Sequence, residues 1–106
     1  MQYDVELSQL AEKQYDNILG YLAYKLKNPQ AVAAVIDDFD AAVSILEKSP
    51  TSFSYCQSDR LKALGLRKLH FEKHKYLFVY RIAGSKVVIE GIYHELQDYE
   101  NLFMDD

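Results

Sequence analysis

The residues most able to do chemistry sit in the last third of the chain. Lys68 and His70 alternate with Arg67, Leu69 and Phe71 in an extended-looking run, Arg81 closes an apolar stretch, and His94 ends another. An imidazole titrates near neutrality, which makes His94 a candidate general base. Lys68, His70 and Arg81 are basic groups able to hold an anionic partner. Alternation puts Lys68 and His70 on one side of their strand and Arg67, Leu69 and Phe71 on the other, facing the helices. On the last strand, Val88, Glu90, Ile92 and His94 share a side by the same rule. If the registers agree, Lys68, His70, Glu90 and His94 line one shallow basic surface. An ordinary solvated sheet face accounts for the same residues, and that alternative stays open here.

Other chemistries find little support. The sequence has no GxSxG elbow, Gly-rich phosphate loop or HExxH. His70 and His74 lack ligand spacing on a helix, and Cys56 is the only cysteine, so no thiolate zinc site, disulfide or metal is expected. Cys56 has no nearby His to activate it. No cofactor is implied. Among nine tyrosines, Tyr93 and Tyr99 lie near His94.

Elements must position these groups. Tyr3, Val5 and Leu7 alternate with Asp4 and Glu6, which predicts a short strand. Ser8 is placed to cap a helix over 9–27, with Ala11, Tyr15, Ile18, Leu22 and Leu26 as its apolar stripe. Asn28-Pro29 ends that helix and opens a second, to about Lys48. Its predicted buried stripe is Val32, Val35, Ile36, Phe39, Val43 and Leu46, with Asp37, Asp38 and Asp40 on the other side. The break is short, so the two helices form an antiparallel hairpin. Residues 49–64 read as a Ser-rich surface loop holding a helical turn near 59–64. Strands follow over 66–71, 75–82 and 86–94, the middle one apolar enough to be covered on both faces. Gly84-Ser85 suits a two-residue hairpin. A short C-terminal helix over 96–103 would put Leu96, Tyr99 and Phe103 on one face. The fold class is therefore α+β, β-α-α-β-β-β, with an antiparallel sheet packed on a helical hairpin.

The chain has 106 residues, 49% hydrophobic, which predicts one domain with a real core. No run approaches the roughly 20 apolar residues of a membrane helix. The N-terminus has neither a basic nor an apolar signal region. A cytoplasmic protein is expected. The formal charge of −4 hides a segregation. Residues 1–57 carry −4, residues 58–86 carry +6, and residues 87–106 carry −6.

Tyr3-Asp-Val-Glu-Leu-Ser8 with Ala11-Glu12, the paired helices, Gly65-Leu-Arg-Lys-Leu69, Tyr76-Leu-Phe-Val-Tyr-Arg81 and Ile92-Tyr-His94 resemble the RelE/ParE toxins of bacterial type II toxin–antitoxin modules, also called plasmid stabilisation systems. The resemblance runs from about residue 2 to 103. It implies a cognate antitoxin as partner. The RelE-like branch cleaves mRNA on the ribosome, and Lys68, His70, Arg81 and His94 are its candidate catalytic residues here. The ParE-like branch poisons DNA gyrase. The RelE-like enzymes carry Arg inside the central strand, where this chain has Leu77, so the resemblance leans to the ParE-like branch; an inactive toxin remnant or a plain interaction domain is the further alternative. Arg67, Lys68, His70, Lys75, Arg81, Tyr93, His94 and Tyr99 are then the expected contacts to target or antitoxin.

Overall fold

A computed structural model describes residues 2–104, with side chains described through 101. Strand β1 (Asp4–Leu7) leads into helix α1 (Gln9–Gly20). Ser8 caps α1 by accepting from the Ala11 N–H at 3.0 Å. The helix continues as a wider π-type turn over Tyr21–Lys25. Asn28 then caps helix α2 (Pro29–Lys48), accepting from Ala31 N–H. Pro29 sits at the first position, where its missing N–H costs nothing.

Helix α3 (Asp59–Ala63) precedes strands β2 (Arg67–His70), β3 (Tyr76–Ala83) and β4 (Lys86–His94), and α4 (Tyr99–Met104) follows. The sheet order is β1-β4-β3-β2. The three later strands form the expected antiparallel meander, but β1 joins its edge parallel to β4, so the sheet is mixed rather than wholly antiparallel. The chain is α+β, as its element order implies.

The helical hairpin covers one face of the sheet. Ala11, Phe39, Ala42 and Leu46 pack on Leu69, Phe71, Phe78, Tyr80, Val87, Ile89 and Ile92. Phe39 anchors this core, stacked on Tyr15 at 4.0 Å and edge-on to Phe78 at 5.3 Å. Each such pair contributes roughly 1 kcal/mol beyond area burial. Tyr80 is fully buried, and its hydroxyl donates to the Pro50 carbonyl at 2.6 Å. Burial pushes its phenol up to about 12.

Three expectations change here. The buried stripe of α2 is turned from the predicted one, so Ile36 is exposed while Asp38 and Ala42 are buried. Asp38 leaves solvent because the β2–β3 turn satisfies it. Its carboxylate accepts from the amides of Lys73 (3.1 Å) and His74 (2.8 Å), and His74 Nδ1 lies 2.7 Å away. Burial alone would raise this carboxyl, but those hydrogen bonds outweigh it and hold Asp38 below the usual carboxylate value. Second, the 49–64 segment holds the expected helical turn as α3 but is anchored into the core rather than lying on the surface as a loop. Pro50, Cys56 and Leu61 are buried, and residues 54–56 run beside β2, with Lys68 N–H donating to Ser54 O and Cys56 N–H to Leu66 O. Third, Leu96 precedes the C-terminal helix and is 81% exposed. The side chain of Phe103 lies outside the described residues.

Candidate functional site

The second sheet face is where the sequence places its chemistry. Lys68 pairs across to Val79 and His70 to Leu77, so both basic side chains share a face with those two residues, away from the hairpin. Leu69 is in the hairpin-side core, as its alternation predicts. The face is not open, however. Cys56, Leu61, Leu66, Leu77, Val79 and Tyr93 form a second buried cluster, and Tyr99 of α4 packs against it. Apolar surface on both sides of β3 explains its unbroken apolar run.

Helix α4 is fastened over this cluster by polar bonds. Glu100 accepts from the backbone N–H of Ser58 (2.6 Å) and Gln57 (3.3 Å), at the start of α3. Lys68 Nζ donates to the Tyr99 hydroxyl at 3.4 Å. Burial, and then the charge on Glu100, push the Cys56 thiol up to about 11. A protonated buried thiol is no nucleophile.

The bulge in β4 decides what this face can do. Tyr80 pairs with Ile89 but Val79 with Gly91, leaving Glu90 as the extra residue. Alternation therefore resets. Val88 and Glu90 face away from the hairpin, and so does Tyr93, while Ile92 and His94 turn toward α1. The predicted quartet of Lys68, His70, Glu90 and His94 does not form. His94 instead meets Tyr76 edge-on at 5.5 Å on the hairpin side. The signal was present in the sequence, because an isolated glycine inside a strand marks a bulge.

The remaining candidates divide by location. Arg81 stands beside the bulge with its Nε 2.7 Å from Glu90 Oε2, near Leu64 and Leu66. His70 Nδ1 lies 3.6 Å from Glu95 Oε2 in an exposed pair. Lys75 is exposed in the β2–β3 turn. Arg67 serves its own chain. It donates to the carbonyl of Phe53 (2.7 Å) and the hydroxyl of Tyr55 (2.9 Å), and its guanidinium lies 4.0 Å from the Tyr55 ring centre. Lys68, His70, Arg81, Tyr93 and Tyr99 therefore share one face, which His94 does not. Arg81 is paired with a carboxylate, His70 lies near one, and Lys68 is held by a phenol. Such a face suits recognition of an extended, charged partner. Among the described residues, no three His, Cys, Asp or Glu groups gather to hold a metal ion.

A sequence model for the ParE toxin of the parDE type II toxin–antitoxin system matches residues 5–99. The chain belongs to the ParE toxin family. The resemblance carried by its strand and helix motifs is thereby confirmed. Solved structures share the fold of this ParE-family chain. The chromosomal ParDE system of P. aeruginosa matches at 18% identity, over 88% of this chain and 96% of that one, with a TM-score of 0.70. The RelBE2 toxin–antitoxin complex of Mycobacterium tuberculosis matches at 20% identity, over 89% and 99%, with a TM-score of 0.59. The DinJ-YafQ complex of E. coli matches at 16% identity, over 89% and 93%, with a TM-score of 0.57. No curated protein sequence matches significantly. No helix among the described residues is long and apolar enough to cross a membrane.

Proposed function

We propose that this ParE-family toxin arrests growth by binding its target, DNA gyrase, in the cytoplasm, and that a cognate antitoxin neutralises it. The observation that carries the reading is Leu77. Where the RNA-cleaving branch is expected to carry an Arg, this central strand has a leucine that is fully buried under the α3–α4 layer. A leucine holds no phosphate, and an arginine there would need a charge partner inside that cluster. The placement of His94 on the opposite face from Lys68 and His70 supports the same conclusion. Proton transfer needs its acid and base within reach of one bond.

The antitoxin half of the proposal rests on the charge map. Residues 58–86 carry +6, and an acidic, initially unstructured tail complements them. Lys68, His70, Lys75 and Arg81, with Tyr93 and Tyr99, are the contacts proposed for antitoxin or target. Induced expression of the chain, with and without its neighbouring gene, tests this reading. Growth arrest relieved by the neighbour, with no new mRNA ends in primer extension, is the expected result. Ribosome-dependent mRNA cleavage, abolished in the Lys68→Ala, His94→Ala double variant, would establish the endoribonuclease instead.

A further inference from the structure

The far end of β4 carries a polar cavity that the proposed function does not use. Gln14, Asn17 and Ile18 of α1, Ile92 and His94 of β4, and Gln97 line a space of about 210 Å³. β1 ends at Leu7, beside Ile89, so the end of β4 lacks a strand on that side. Side-chain oxygens replace it. Gln14 Oε1 accepts from the Ile92 N–H and Gln97 Oε1 from the His94 N–H, each at 2.8 Å. An amide engaged through its oxygen keeps its –NH2 group as a donor. The Leu96 N–H donates to His94 Nδ1 at 3.1 Å, which places the ring proton of the neutral imidazole on Nε2. Asn17 has no side-chain hydrogen bond among the described residues. The lining thus supplies N–H donors above two isoleucines, with neither a carboxylate nor a Lys or Arg among its residues.

We infer that this cavity binds a carboxylate group. Two planar oxygens match amide and imidazole N–H donors, and the isoleucines accept the carbon attached to them. A phosphate dianion fits less well, since it carries twice the charge of a carboxylate and neutral N–H donors alone offset less of its desolvation. The carboxylate belongs either to a small free acid or to an acidic side chain of a partner.

Side-chain amide resonances in the 15N-labelled full chain read this directly during titration with acetate, with a blocked acidic peptide and with inorganic phosphate. The expected result is a saturable shift of the Gln14, Asn17 and Gln97 –NH2 signals with acetate or peptide. Acetate binding alone assigns the site to a free acid, and clearly tighter peptide binding assigns it to a partner's side chain. Gln14→Glu and Gln97→Glu keep an oxygen for the strand N–H but replace the donor by a carboxylate oxygen. Each should weaken binding at least about tenfold. Asn17→Asp, on the exposed side of α1 and without a strand to cap, should do the same if the other two perturb the fold. No saturable shift, saturation by phosphate alone, or binding unchanged in all three variants would overturn the inference.

Discussion

Asp38 belongs by sequence to an acidic run on α2, yet it is 4% exposed and holds the β2–β3 turn. Hydrophobic periodicity sees only that an acid interrupts the stripe. The two amides and the imidazole that satisfy it come from 35 and 36 residues away, beyond the reach of a local pattern. Its folded carboxyl is lowered relative to the unfolded chain, so it binds protons less readily when folded. The stability it supplies is complete above the usual carboxylate value of about 3.9, and is lost as pH falls through the folded value. Asp38→Asn should cost about 2 kcal/mol at pH 7 in urea unfolding, and should flatten the acid limb of the stability profile. Cys56 makes a second residue-scale case. Its thiol is buried and raised to about 11, so the native chain should react with a disulfide reagent at pH 8 far more slowly than the unfolded chain. Tyr99→Ala, which loosens the α4 cover, should speed that reaction while leaving the hairpin-side core intact.

Among the elements, those set by local chemistry were the legible ones. Ser8 and Asn28 fix helix starts by accepting from the amide three residues on, Pro29 suits the first helical position, and both starts are where the sequence puts them. Alternation in β2 correctly separates Lys68 from Leu69, because that strand is regular. Alternation in β4 misplaces His94, because the bulge at Glu90, opposite Val79 and Tyr80, shifts the register midway. The covering of the second face was not legible either. It joins Cys56 and Leu61 to Leu77 and Tyr93, segments whose contact only the folded topology creates. Gly91 is tied to the bulge. A Cβ on it would lie 2.5 Å from Cε2 of Tyr93, whose ring folds over the glycine. Gly91→Ala should therefore expel the Tyr93 ring from the second cluster and lower stability by about 1–3 kcal/mol in thermal or urea unfolding. A wild-type stability in that variant would show that Tyr93 has room to move.

Across the whole molecule, a net charge of −4 conceals a sheet segment of +6 between two acidic ones. An acidic average is thus compatible with an anionic partner, and binding of such a partner should weaken as salt rises. The two-sided burial of β3 makes the sheet a platform with α4 and the 53–66 segment as its second layer. Arg81 is paired with Glu90, Lys68 bonds a phenol, and His70 and His94 lie on opposite faces. That distribution suits recognition better than bond cleavage, which makes inhibition by binding the central claim. DNA gyrase supercoiling, assayed with increasing amounts of the purified chain, tests it most directly. The account predicts dose-dependent loss of supercoiling by the purified chain, with no cleavage of mRNA on ribosomes. Undiminished supercoiling at saturating protein, from a preparation that cleaves mRNA on ribosomes, would contradict it.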